Sequence, residues 1–96
     1  MERRERLEKL VDRVVAEKRL WMLYYPVANP HIDRIVELAI KLRVPTRKDC
    51  IQNFIAAYLV LRGFMSARAA DDRVASSSAG RRHWQEKLAD LLQPQP

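Results

Sequence analysis

The sequence is poor in the residues from which many cofactor sites and secreted folds are built. Its 96 residues include one cysteine, Cys50, and two glycines, Gly63 and Gly80. A single cysteine excludes an intrachain disulfide and a cysteine-based zinc cage, and it is typical of a reduced intracellular setting. With so few glycines, the chain has no glycine-rich loop that could wrap a phosphate. We therefore expect no cofactor.

Long hydrophobic runs are also missing. The longest run, Phe54 to Leu61, is far shorter than the roughly 20 apolar residues of a membrane-spanning helix. The N-terminus is rich in Glu and Arg and lacks the apolar segment of a signal peptide. These two absences predict a cytoplasmic location and no membrane partner.

Side chains that commonly carry catalysis stand alone in this sequence. His31 and His83 have no cysteine or acidic residue at metal-ligand spacing. The serines at 76–78 lack the strained-turn context of a nucleophile. We expect no metal site and no small-molecule substrate, and we predict that the protein is not an enzyme.

What the sequence does have is positive charge. Eighteen Lys and Arg residues outnumber 12 Asp and Glu residues, for a net charge of +6 and a pI near 10. Such a balance favours polyanionic partners such as DNA, although a well-solvated surface explains it equally well. The least balanced stretch is 34–48, where Glu37 is the only acidic residue.

Residues 2–18 predict an amphipathic helix. Its charged face mixes both signs, and we expect i,i+4 pairs between Glu2 and Arg6 and between Glu5 and Lys9. Its apolar face packs against the rest of the domain or against a second subunit. The apolar residues at helical spacing are Leu7, Leu10, Val11, Val14 and Val15.

An aromatic run at residues 20–25 follows this helix. The aromatic residues and the following Pro26 favour a short strand. Six residues are too few for periodicity to exclude a continuation of the first helix, so both alternatives stay open.

Two further amphipathic helices are predicted, joined by a short turn. The pair Asn29-Pro30 predicts the start of the first, with Asn as the N-cap and Pro at the first helical position. The pair Val44-Pro45 predicts its end, because a residue before proline is pushed out of the helical region.

The second of these helices has both ends marked and a wide apolar face. Thr46 with Asp49 approximates a capping box at its start, and Gly63 predicts its end. From Phe54 to Leu61 the helix has almost no polar side, so it must be buried on several sides. In a chain of this size, we expect a second subunit to provide that burial.

The sequence predicts three parts along the chain. We expect residues 1–65 to form the helical DNA-binding and dimerisation domain. Residues 66–80 lose the apolar pattern and predict a flexible linker. Residues 81–93 predict a short amphipathic C-terminal helix.

The segment Thr46-Arg47-Lys48-Asp49-Cys50-Ile51, preceded by a helix and a short aromatic strand, resembles the ribbon-helix-helix family of DNA-binding proteins. The resemblance covers roughly residues 19–62. It implies a homodimer whose paired strands enter the major groove of DNA while the starts of the second helices clamp phosphates. The family usually has a glycine between its two helices, where this chain has Arg43-Val44-Pro45.

The sequence thus predicts a mainly α fold of three to four helices with one short strand, as a ribbon-helix-helix-like dimer core. An all-α helical bundle is the alternative, and a helix-turn-helix pairing of residues 29–43 with 47–62 ranks lower. The predicted DNA-binding residues are Arg19, Arg34, Arg43, Thr46, Arg47 and Lys48. The predicted dimer-interface residues are Trp21, Leu23, Tyr25, Phe54, Ile55, Tyr58 and Leu59.

The predicted function is that of a small basic dimeric DNA-binding protein, such as a transcriptional repressor or a partition-type factor. The alternative is a helical protein–protein interaction module that assembles with itself or a partner without binding nucleic acid. In that case the apolar residues form the interface, and the positive charge serves solubility.

Overall fold

The computed structural model describes residues 2–16, 29–73 and 78–92, and all the regular structure in these ranges is helical. The mainly α class is confirmed, and the described residues support the all-α alternative, whereas the predicted strand at residues 20–25 lies outside them. No described helix has the length and apolar character needed to cross a membrane. The helices are α1 (Arg3–Val15), α2 (Ile32–Lys41), α3 (Lys48–Leu61), α4 (Ala67–Arg73) and α5 (Ser78–Leu92), with a 3-10 turn at Asn29–His31.

Helix α3 is the centre of the fold and packs against each of the other four helices. Residues 53–59 are all buried, because α5 covers one side of α3 and α1 and α2 cover another. The most extensive of these contacts is with α5, where the ring of Trp84 meets Phe54 edge-on at 5.7 Å between centroids and Leu88 is fully buried.

This arrangement corrects the assignment of the α3 apolar face to a dimer interface. Phe54, Ile55, Tyr58 and Leu59 are at most 2% exposed within a single chain. The predicted linker and short helix of the C-terminal region left α3 uncovered, whereas α5 covers it within the same chain.

The segment predicted as a flexible linker is helical where the structure describes it. Helix α4 begins after Ser66, whose Oγ accepts a hydrogen bond from the backbone N–H of Ala69 at 3.1 Å and caps the helix. Helix α5 begins at Ser78, and only residues 74–77 of the segment are outside the described ranges.

An ion pair between a buried arginine and an exposed aspartate joins α4 to α5. The guanidinium of Arg81, a residue only 6% exposed, donates from Nε to Oδ1 of Asp71 at 3.0 Å, and it also contacts Gln85. The acidic residues of the segment therefore do not all serve as solvated linker charges.

Helices α2 and α3 end in the same hydrogen-bonded motif. At the end of α3, the N–H of Phe64 donates to the carbonyl of Leu59 at 2.9 Å, and Gly63 has a φ of 77°. This Schellman motif confirms Gly63 as the residue that ends the helix. At the end of α2, Val44 donates to Ala39 at 2.9 Å, with Arg43 at a φ of 56°. Helix α2 therefore ends at Lys41, a few residues before the end that the pair Val44-Pro45 predicts.

Candidate anion-binding groove

The start of α3 differs by one residue from the predicted capping box. Its first helical hydrogen bond runs from the N–H of Ile51 to the carbonyl of Arg47 at 3.0 Å, which makes Arg47 the N-cap residue. Arg47 has an extended backbone, and no side chain caps this helix start. Thr46 lies one position too early to act as the cap, and this half-buried residue lines a groove instead.

Helix α1 forms the other wall of this groove. Its lining residues are Arg6, Lys9, Leu10 and Arg13, and together with Thr46 they enclose an open space of about 290 Å³. The positions i, i+3, i+4 and i+7 lie on one face of a helix, which explains why these four side chains are gathered. The groove therefore combines three cations with one hydroxyl group.

The three cations of the groove have no acidic partner in the described part of the chain. No carboxylate there lies within 4.0 Å of Arg6, Lys9 or Arg13. The ion pair that α1 does form joins Arg4 to Glu8 at 3.2 Å, on the exposed surface. The predicted pairing of Glu2 with Arg6 and of Glu5 with Lys9 is therefore wrong. The groove keeps its positive charge.

A hydrogen bond between distant parts of the chain holds the two walls of the groove in place. Nη2 of Arg3, at the first position of α1, donates to the carbonyl of Val44 at 3.1 Å. Val44 is fully buried in the turn between α2 and α3, two residues before Thr46. Arg3 thus fixes the end of α1 against the segment that carries Thr46.

Arg47, which the sequence assigns to a phosphate clamp, turns back onto its own helix. Its Nη2 donates to Sγ of Cys50 at 3.3 Å, and its Nε lies 3.9 Å from Oδ1 of Asp49. The hydrogen bond to Cys50, followed by electrostatic attraction to Cys50 and Asp49, raises the pKa of Arg47. Arg47 remains exposed, but it does not line the groove.

Of the predicted DNA-binding residues that the structure describes, only Thr46 lines the groove. Arg34, Arg43 and Lys48 are exposed, and none of them lines the groove. Arg19 lies outside the described residues, as do the three interface residues of the aromatic run, Trp21, Leu23 and Tyr25.

A second polar cluster lies near the C-terminal end of α3. The buried hydroxyl of Tyr58 and Nδ1 of His31 are 3.0 Å apart, and the imidazole ring also contacts Phe64 at 5.3 Å between centroids. Burial raises the pKa of Tyr58, while the positive charges of Arg62 and Arg34 act in the opposite direction. The described cluster joins the start of α2 to the end of α3.

Arg6, Lys9 and Arg13 are not among the predicted site residues, although the sequence carries one signal for them. Lys9 and Arg13 are like charges at i,i+4, an arrangement that destabilises a helix by a few tenths of a kcal/mol. An anion bound between them would remove that repulsion. Comparisons of the chain with protein-family models, with curated proteins and with solved structures found no match.

Proposed function

We propose that the protein binds DNA by its phosphate backbone, through the groove between α1 and Thr46. The observation that carries the proposal is the positive charge of Arg6, Lys9 and Arg13 on one face of α1, which no carboxylate of the described residues pairs. Phosphate contacts by Lys and Arg supply most of the affinity of proteins for nucleic acid irrespective of sequence.

The spacing of the three cations suits an extended polyanion. At about 1.5 Å per residue, Arg6 and Arg13 are roughly 10.5 Å apart along the axis of α1. Phosphates of one DNA strand recur about every 3.4 Å along the duplex axis, so about three of them fall within this length of the axis. Thr46 supplies a hydroxyl donor from the opposite wall.

Base readout by α3 does not fit this fold. A recognition helix lies in the major groove along an exposed face, but residues 53–59 are buried and α3 is exposed only towards its two ends. This burial argues against the helix-turn-helix alternative. In the ribbon-helix-helix version of the proposal, base contacts and dimerisation would come from residues 20–25 of two chains. A repressor or a partition-type factor is the role that we propose for such a dimer.

The test is DNA affinity measured as a function of salt concentration. Replacing Arg6, Lys9 and Arg13 by Gln should weaken binding roughly 10- to 100-fold and flatten the slope of log K against log salt by about 2.7. The slope is informative because each lost phosphate contact contributes about 0.9 to it for duplex DNA.

The matched control carries the same change of charge on α4 and α5. Arg68, Arg82 and Lys87 are exposed and lie outside the groove, so their replacement by Gln should leave the slope nearly unchanged. Equal losses in the two variants would show a response to net charge alone and would contradict the proposal. Absence of DNA binding, together with self-association or a protein partner, would favour the interaction-module alternative.

A further inference from the structure

The dimensions of the groove lead to a narrower assignment of its ligand. We propose that the groove is a site for one short chain of linked phosphates, such as tripolyphosphate or the triphosphate of a nucleotide. The site is the one used in the proposed function, but the inference does not require that the protein binds DNA.

The volume of the groove favours a compact ligand. About 290 Å³ is just below the roughly 300–1,000 Å³ that is typical of small-molecule pockets. Three cationic side chains spread over roughly 10.5 Å of helix must all converge on one point to contact a single orthophosphate. A chain of linked phosphates can reach all three.

The chemistry of the lining matches the same ligand. The planar guanidinium groups of Arg6 and Arg13 can each bond two oxygens of one phosphate, and Lys9 between them adds a point charge. The Thr46 hydroxyl can donate to a phosphate oxygen from the other wall. The lining of the groove includes no carboxylate that would repel a phosphate. We therefore infer that the groove recognises closely spaced phosphates.

Two sources share this chemistry, the backbone of a nucleic acid and a free oligophosphate. They differ in the linkage between phosphates, because backbone phosphates are separated by sugars and carry one charge each. A free oligophosphate places more charge inside the same volume. The groove should thus bind tripolyphosphate more tightly than pyrophosphate, and pyrophosphate more tightly than orthophosphate or sulfate.

The experiment is calorimetric titration of the full chain with tripolyphosphate at constant ionic strength. We expect one ligand per chain, with affinity reduced at least tenfold when Arg6, Lys9 and Arg13 are replaced by Gln. The control variant of Arg68, Arg82 and Lys87 should keep its affinity within about threefold, because these residues are outside the groove. Equal losses in the two variants, or unchanged binding in the groove variant, would overturn the site.

A milder variant keeps the test valid if the triple substitution impairs folding. Thr46→Val preserves shape and charge but removes the hydroxyl donor, and it should weaken tripolyphosphate binding by about three- to tenfold. Circular dichroism verifies the helix content of each variant. Undiminished affinity in a folded Thr46→Val variant would contradict the role of Thr46 in the site.

Competition separates this inference from the proposed function. If DNA and tripolyphosphate share the groove, saturating tripolyphosphate at constant ionic strength should displace labelled duplex DNA. Binding of tripolyphosphate without DNA binding would support the inference and refute the proposed function. DNA that binds but is not displaced would refute the shared site and leave DNA binding intact.

Discussion

Arg43 and Gly63 occupy equivalent positions at the ends of α2 and α3, but only one of them suits its backbone conformation. Both have a positive φ, 56° for Arg43 and 77° for Gly63. A side chain in the left-handed region costs roughly 1–2 kcal/mol, whereas glycine adopts it without steric penalty. The turn at the end of α2 is therefore less stable than it would be with glycine at position 43. Arg43 instead places a positive charge at this turn.

Replacing Arg43 by Gly should stabilise the protein by about 0.5–1 kcal/mol, because relief of the backbone strain exceeds the entropy that glycine loses on folding. Urea denaturation measures this change. Arg43→Ala is the control, because it removes the same charge but keeps a Cβ atom at a positive φ. A gain in stability as large for Arg43→Ala would show that the side chain, and not the backbone, causes the strain.

Tyr58 should make stability depend on pH in the alkaline range. Its pKa is raised in the folded chain, mainly by burial, so the unfolded chain loses the phenol proton first as the pH rises above about 10. The stability that Tyr58 contributes is present below that pH and is lost above it. Tyr58→Phe should cost about 0.5–1.5 kcal/mol at pH 8, through the lost hydrogen bond with His31.

The measurement is the difference in unfolding free energy between the wild-type chain and Tyr58→Phe from pH 8 to pH 11. We expect this difference to shrink as the pH rises, because only the wild-type chain has this group to ionise. A constant difference over the whole range would contradict the assignment of the raised pKa to Tyr58.

At the level of the helices, the crossing of α3 and α5 depends on a glycine. Gly80 lies inside α5, and a Cβ atom at this position would be 2.7 Å from Nδ2 and 3.1 Å from Cγ of Asn53, which is only 7% exposed. The sequence predicts Gly80 at the end of a linker. Its position in the structure shows instead a close approach of two helices.

Gly80→Ala should therefore destabilise the protein by about 1–2 kcal/mol, because the overpacking at Asn53 outweighs the better helix propensity of alanine. The same substitution in an Asn53→Ala background should cost less, since the clashing amide is absent. Thermal or urea unfolding of the four proteins gives the coupling energy. Equal costs in both backgrounds would locate the effect elsewhere.

Which elements could be predicted depended on how local their signals are. Leu7, Val11 and Val14 recur at helical spacing, and the core position of their stripe follows from that pattern. Gly63 likewise marks a helix end through its own backbone preference. The cap at Ser66 was missed because the following residues, Ala67–Arg73, carry no apolar stripe. The groove depends on how α1 packs against the turn before α3, and no local pattern encodes that contact.

At the scale of the whole molecule, the described core is closed by the chain itself. The only large apolar side chain exposed among the described residues is Leu61, at 37%. We therefore expect this core to fold without a second subunit. The midpoint of urea denaturation should not change over a hundredfold range of protein concentration, whereas an obligate dimer would become more stable as concentration rises.

Analytical ultracentrifugation over the same range reports the molecular mass independently. A dimer that forms without shifting the denaturation midpoint would assign dimerisation to contacts outside this core, such as the aromatic run. A denaturation midpoint that rises with protein concentration would show that folding of the core requires a second subunit.

The hydrogen bond between Arg3 and Val44 joins positions 41 residues apart in the chain, so the groove exists only while both of its walls are folded. A molecule that occupies the groove must then favour the native state over the unfolded chain. At a ligand concentration of 100 times the dissociation constant, the gain is about 2.7 kcal/mol. A rise in melting temperature can consequently identify the natural ligand in a library of anions.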